Sequence, residues 1–164
     1  MLCVACCTPG HSGADFSLDT AQLQAYLAGT SITTIIISHA DTDHYALLPV
    51  VFPDPANDPI LKDSLKNIVL GGKKACYASA GFPAWLAKLP ATVKVSVVND
   101  EKACAGDCPQ PVTAQDLCPG ASANFQYEIV AANLGASKNS QSALVRFSYL
   151  ASSALLPGKG HVTT

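Results

Sequence analysis

One segment limits the fold of this chain more than any other: a hydrophobic run that ends abruptly in a cluster of charged and imidazole side chains. Residues 31–38 read SITTIIIS, and three consecutive isoleucines preceded by two threonines are typical of a buried strand. The next six residues, 39–44, read HADTDH. In layered α/β folds, ligands gather at the ends of strands. The sequence therefore predicts a functional loop directly after a buried strand.

The remaining chain alternates between helix and strand patterns. We predict a helix over residues 19–27, because Leu23, Tyr26 and Leu27 fall on one face and Gly29 follows as a stop. Further strands are predicted at 67–70, 92–98, 125–131, 142–149 and 153–156, and short helical stretches within 45–52 and 73–89. In the early part of the chain, a predicted helix lies between predicted strands. In the late part, predicted strands follow one another directly. This order predicts an α/β (α+β) sandwich with its helices on the outside.

Length and composition favour a single packed domain that spans residues 1–164. Within it, residues 1–16 read as an irregular segment, either a loop or a damaged first strand, and residues 100–122 as a cysteine-bearing loop. Hydrophobic residues make up 49% and charged residues 13%, which argues against disorder. A net charge of −2 does not predict a large basic surface that would bind nucleic acid. No apolar run is long enough to cross a bilayer.

The cysteines bear on the compartment. There are seven, and four of them, from Cys76 to Cys118, lie in a stretch rich in Pro, Gly, Asp and Asn. Two disulfides there would indicate an oxidising, secreted or periplasmic location, although the N-terminal ten residues lack a basic residue and make a poor signal peptide. Free thiols and a structural zinc are the alternatives, and the spacing lacks the tight pairs of a zinc ribbon.

The segment HADTDH, called here the HADTDH loop, carries the main chemical signal. Two imidazoles and two carboxylates within six residues suit a divalent metal, zinc first and manganese second, as one or two ions. His39, Asp41 and Asp43 are expected to point one way from an extended loop and His44 to another side. The loop would then supply ligands to two metal ions about 3.5–4 Å apart. The alternative is a polar turn whose aspartates cap the next helix and whose histidines lie on the surface.

The HADTDH loop also resembles a known family. IIISHADTDHY resembles the first motif of the metallo-β-lactamase superfamily, His-x-His-x-Asp-His, with Asp41 in place of the second histidine. This variant is similar to the soluble hydrolase domain of ComEC-type DNA-uptake channels and its free-standing relatives. A second segment, NSQSALV at 139–145 with ALLPG at 154–158, resembles that subgroup's Asn-x-x-Ser-Leu-Val strand and the Leu-Leu-x-Gly-Asp motif that follows it.

The resemblance implies a metallo-β-lactamase-like αββα sandwich, here an incomplete one, with a metal site at one edge. It assigns His39 and Asp41 to one ion. It assigns Asp43 and His44 to a second ion, or gives Asp43 the catalytic task of orienting the attacking water.

The same resemblance suggests residues that line the site. Asn139 and Ser142 match the subgroup's third motif. His11 lies in TPGHSG, similar to a superfamily metal motif but out of order in the chain. His161 is the histidine available after residue 158, and Tyr45 follows the HADTDH loop directly, either lining the pocket or packing.

The chain departs from the family near its end. The family's Gly-Asp supplies a bridging carboxylate, but here Gly158 is followed by Lys159, whose ammonium cannot replace that ligand. The usual later ligands and the first strands are missing or compressed. Three interpretations stay open: a truncated piece of a larger enzyme, a divergent minimal hydrolase with fewer ligands, or an inactive fold kept for binding.

These observations predict a metal-dependent hydrolase whose metal-activated water attacks phosphodiester or ester-type bonds, in small molecules or in DNA. One alternative is an ester, lactone or β-lactam hydrolase of the same superfamily, since its loops change substrate readily. The other is a catalytically inactive secreted scaffold. A homo-oligomer is a candidate assembly, because a truncated sandwich would expose apolar edges.

Overall fold

The computed structural model describes residues 4–5, 20–29, 31–98, 115–116, 125–131, 142–149 and 151–156. The strands in these ranges are β1 (Val4–Ala5), β2 (Thr34–Ile37), β3 (Asn67–Gly71), β4 (Lys94–Val98), β5 (Gln115–Asp116), β6 (Phe125–Ala131), β7 (Leu144–Tyr149) and β8 (Ser152–Leu156). The α-helices are α1 (Thr20–Leu27), α2 (Leu48–Val51) and α3 (Phe82–Ala87), and two 3₁₀ helices cover Thr42–His44 and Lys74–Cys76.

The first sheet is parallel and has the order β1-β2-β3-β4. Ile37 lies opposite Leu70, and Gly71 lies opposite Val98. Because the strands are parallel and in register, β2, β3 and β4 end at the same edge of the sheet. The HADTDH loop leaves the sheet at that edge.

Both faces of this sheet are buried, which explains the unbroken isoleucine run. Ile35 and Ile37 belong to the core shared with the three α-helices, whereas Ile36 and its partner Val69 belong to the core shared with the second sheet. All are at most 3% exposed. Burying each such side chain stabilises the fold by about 1.5–3 kcal/mol.

The second sheet is antiparallel and has the order β5-β6-β7-β8. Ile129 and Val145 are opposite one another and pack against the first sheet. Glu128 and Arg146, also opposite one another, form an ion pair on the other face. This alternation of apolar and charged residues is typical of a sheet with one face in the core. The chain is thus an α+β protein in which helices and a second sheet cover opposite faces of the first.

Most elements lie where the sequence predicts them, and two short strands have no clear sequence pattern. β1 lies within residues 1–16, read as either a loop or a damaged first strand, and β5 lies within residues 100–122, read as a loop. Each has two residues, too few for a periodic pattern to form. Pairing with a neighbouring strand, which the sequence does not encode locally, defines both.

The structure gives no support for a disulfide at Cys76. Its thiol is free and half-buried, while Cys104, Cys108 and Cys118 lie outside the described residues. A location outside the cytoplasm, which depended on such disulfides, stays a prediction. Within the described ranges, no helix has the length and apolar character that a membrane crossing requires.

Candidate metal centre

The HADTDH loop folds back on itself at the end of β2. Its residues Thr42–His44 form a 3₁₀ helix in which the His44 amide donates to the Asp41 carbonyl at 3.0 Å. The His39 and His44 rings come into contact, with centroids 3.9 Å apart and planes tilted by 54°. Both rings are buried, His39 at 0% and His44 at 5% exposure.

The expectation that His44 turns to another side is therefore wrong. It assumed an extended loop, in which successive side chains alternate. A 3₁₀ helix has three residues per turn, so it reverses the chain within residues 41–44 and returns His44 towards His39.

The four polar side chains form two imidazole–carboxylate pairs. His39 Nε2 lies 3.3 Å from Asp41 Oδ2, and His44 Nε2 lies 3.6 Å from Asp43 Oδ2. Neither contact has hydrogen-bond geometry, and both Nε2 atoms are buried without a hydrogen-bond partner. A buried polar atom left in this state is costly, so two adjacent ones indicate a missing partner. The pairs are the same two that the resemblance assigns to separate ions.

The donors and their separations fit a metal ion. Zinc binds imidazole nitrogen at about 2.0–2.1 Å and carboxylate oxygen at about 2.0–2.2 Å, so two ligands of one tetrahedral ion lie about 3.3 Å apart. The His39–Asp41 separation matches this value, and the His44–Asp43 separation is slightly longer. The carboxylates reach the surface, with 30% of the Asp41 side chain and 64% of the Asp43 side chain exposed.

Each pair supplies two donors, one fewer than the three protein ligands of a catalytic zinc site. Across the ranges that the structure describes, no group of three His, Cys, Asp or Glu side chains is placed to hold an ion. Three of the site residues predicted from sequence, His11, Asn139 and His161, lie outside those ranges. The described residues therefore provide only part of the ligand set that a metal ion would need.

The alternative interpretation of the HADTDH loop as a capping turn is not supported. Asp41 occupies the N-cap position of the 3₁₀ helix and makes no side-chain cap hydrogen bond. The histidines are buried rather than on the surface. The rings and the Asp41 carboxylate are thus not used in the way that interpretation requires.

The Ser38 hydroxyl lies next to the Nδ1 atoms of both rings, whereas the carboxylates lie next to the Nε2 atoms. Its Oγ lies 3.0 Å from His39 Nδ1 and 3.3 Å from His44 Nδ1. No Gly-x-Ser-x-Gly elbow surrounds Ser38, so the sequence pattern gives this serine no role as a nucleophile. Its position between a strand and a candidate ligand was the signal that could have pointed to its contact with the rings.

The backbone of Ser38 is also fixed, by contact with both sheets. Its carbonyl accepts a hydrogen bond from the Ala143 amide at 2.7 Å. A Cβ on Gly71 would lie 1.9 Å from that same carbonyl oxygen. Ser142, which is 8% exposed, directly precedes Ala143, whose amide bonds to the Ser38 carbonyl just before the HADTDH loop.

Tyr45 packs in the core. It is 1% exposed, and its ring contacts Tyr77 and Phe82. Its hydroxyl lies 2.5 Å from the Ser79 hydroxyl. Of the two interpretations of Tyr45 left open by the sequence, the structure shows the packing one.

The electrostatics of the His39–Asp41 pair favour neutral imidazole. Burial holds the pKa of His39 below its ordinary value, the nearby His44 ring lowers it further, and Asp41 opposes the shift. Metals bind the neutral form of histidine, so His39 does not have to lose a proton at neutral pH before acting as a ligand.

Comparison with known proteins adds no family to this description: no family model, no curated protein and no solved structure matches the chain.

Proposed function

We propose that this chain is a metal-dependent hydrolase of the metallo-β-lactamase type, with an αββα sandwich and a metal site built on the HADTDH loop. One observation carries the proposal. Two buried Nε2 atoms without hydrogen-bond partners each lie next to a carboxylate oxygen, at 3.3 and 3.6 Å. A divalent ion, zinc first and manganese second, is the partner whose chemistry suits such pairs.

The residues divide the work in this proposal. His39 and Asp41 would hold one ion, and His44 with Asp43 would hold a second or share the first. When bound, the ion supplies Lewis acidity that makes a water molecule nucleophilic at neutral pH. If Asp43, whose side chain is the most exposed of the four, does not hold an ion, it would instead accept a hydrogen bond from the attacking water and orient it.

Phosphodiesters are the proposed substrate class, DNA included. Support comes from the two segments that resemble the ComEC-type subgroup. They are separated by about a hundred residues, yet the Ala143 amide of one donates to the Ser38 carbonyl at the start of the other. An arrangement that joins both motifs at one sheet edge favours a shared site over two unrelated resemblances.

A second candidate is an inactive scaffold of the same fold. One observation favours it: within the described part of the chain, no three ligating side chains gather. Metal content alone does not separate a scaffold that binds zinc from an enzyme, so the test must measure turnover.

The experiment is a hydrolysis assay with a bis-aryl phosphate, an aryl acetate and a chromogenic lactam, before and after chelation. We expect the bis-aryl phosphate to be cleaved, the activity to disappear with chelator and to return with zinc or manganese. Asp43→Asn should lower kcat by about 100-fold, because an amide orients water poorly and accepts no proton.

Asp63→Asn is the matched control, since Asp63 is also an exposed aspartate and lies outside the HADTDH loop. Its activity should equal that of the wild type. Full activity in Asp43→Asn would remove that residue from the mechanism. Cleavage of only the acetate or the lactam would reassign the substrate class, and no turnover of any substrate would favour the scaffold.

A further inference from the structure

We propose that Ser38 is a positioning residue that gives His39 and His44 opposite tautomers in the metal-free protein. Only one of the two imidazole–carboxylate pairs is then ready to receive an ion. The consequence for ions rests on the proposed function, whereas the tautomer assignment does not.

The geometry joins three buried groups in a short chain. Ser38 Oγ lies within hydrogen-bond distance of Nδ1 on both rings, at 3.0 and 3.3 Å. Ser38 is 5% exposed, and both histidines are buried to a similar extent, so water does not compete freely for these atoms. In the described part of the chain, the hydrogen-bond contacts of this hydroxyl are the two Nδ1 atoms.

The proton count then limits the arrangement. A neutral imidazole has one N–H and one lone pair, and a hydroxyl has one proton to donate and two lone pairs. If one Nδ1–H donates to Ser38 Oγ and the Ser38 hydroxyl donates to the other Nδ1, both contacts are satisfied. If both rings donate, the buried hydroxyl proton loses its acceptor, and if neither ring donates, the single hydroxyl proton leaves one Nδ1 lone pair without a donor; each case carries a penalty.

The favoured arrangement makes the two rings unequal. The ring with Nδ1–H presents a lone pair at Nε2, the form that binds a metal. The other ring carries its proton on Nε2, next to its carboxylate but without hydrogen-bond geometry. It can act as a ligand only after its proton moves to Nδ1 and the Ser38 hydroxyl turns away.

Ion binding should therefore occur in two unequal steps. The first ion meets a ring that is already in the correct tautomer. A second ion must also break the hydrogen bond that the Ser38 hydroxyl donates. We expect the second zinc to bind about tenfold more weakly than the first, or more weakly still.

The test is long-range ¹H–¹⁵N correlation NMR of the metal-free protein, at a pH of about 8, where an ordinary histidine is neutral. For His39 and His44, we expect the Nδ1–H fraction of one ring to equal the Nε2–H fraction of the other. Ser38→Ala should abolish this relation, and Ser38→Thr, which keeps the hydroxyl, should restore it. Ser64→Ala, which removes a serine hydroxyl bonded elsewhere, to the Ile32 and Ile60 carbonyls, should leave it unchanged.

The same tautomer on both rings, or an unchanged spectrum in Ser38→Ala, would overturn the proposal. If Ser38→Ala does not fold, the wild-type and Ser38→Thr spectra still decide it. Titration with zinc alone then separates the two proposals. Opposite tautomers without zinc binding would defeat the proposed function only, and zinc binding to rings of equal tautomer would defeat this inference only.

Discussion

At the scale of single residues, Gly71 decides how closely the two central strands of the first sheet can approach at the site. Its backbone conformation is ordinary, so any residue could adopt it. Space is what it provides, since a Cβ there would overlap the Ser38 carbonyl and crowd the Ala143 amide. These are backbone atoms, which cannot turn aside as a flexible side chain would.

Gly71→Ala should therefore displace Ser38 and disturb the rings that its side chain holds. We expect a loss of about 1–3 kcal/mol in the free energy of unfolding, as for overpacking in a core, together with weaker zinc binding. Urea unfolding and a zinc titration measure the two effects.

Gly29→Ala is the control for this substitution. Gly29 has φ +77°, and nothing lies within 4 Å of the position that an alanine Cβ would take, so alanine there meets conformational strain without a collision. It should cost stability but leave zinc affinity as in the wild type. Equal zinc affinity in Gly71→Ala would show that the close approach does not position the HADTDH loop.

At this scale, the sequence identifies the polar side chains of the candidate site but not the residues that position them. The imidazoles and carboxylates of HADTDH are recognisable by their type and density. Ser38 and Gly71 are not, because a serine and a glycine have many roles. Ser38 is important because its Oγ lies 3.0 Å from His39 Nδ1, and Gly71 because an added Cβ would lie 1.9 Å from the Ser38 carbonyl oxygen. Only the folded chain defines these distances.

At the scale of elements, Tyr77 in the segment after β3 stabilises the C-terminal end of that strand. The Tyr77 hydroxyl donates to the Gly71 carbonyl at 2.6 Å, and its ring packs against Tyr45 and Phe82. Burial raises the pKa of Tyr77 far above its ordinary value, and the neighbouring Tyr45 and Cys76 raise it further. The folded protein thus keeps the proton that this hydrogen bond needs.

Tyr77→Phe should lower the free energy of unfolding by about 1–3 kcal/mol at neutral pH, because a buried carbonyl loses its donor. Above a pH of about 10, the unfolded state releases the tyrosine proton while the folded state retains it, so the wild type loses stability as the pH rises. The difference in the free energy of unfolding between wild type and Tyr77→Phe should therefore become smaller above that pH. Urea unfolding across this pH range measures the difference. A difference that grows with pH would contradict a Tyr77 pKa that burial raises.

Most strands and helices could be predicted because their signals are local. The isoleucine run marks β2, and alternation marks β6 and β7. The path of the HADTDH loop was not predictable in the same way, since an extended and a 3₁₀ backbone suit the same six residues. Contact between the rings distinguishes them.

At the scale of the whole molecule, the site lies where the two sheets meet at one edge. The first sheet provides the HADTDH loop and Gly71, and the chain entering β7 provides Ala143. Ile36 and Val145 belong to the same core, so packing of the sheets and assembly of the site depend on each other. The class of the fold could be predicted from the order of its elements. The contact between Ser38 and Ala143 could not, because it depends on how the sheets pack.

The measurement that tests the proposed metal centre most directly is the zinc content of the purified protein after dialysis against zinc and then against metal-free buffer. We predict at least one ion per wild-type chain and a loss of that ion in the double variant His39→Gln/His44→Gln, which keeps side-chain size and polarity. Circular dichroism of both proteins shows that the variant is folded. A wild type without zinc, or a double variant that retains all of it, would contradict a metal centre on the HADTDH loop.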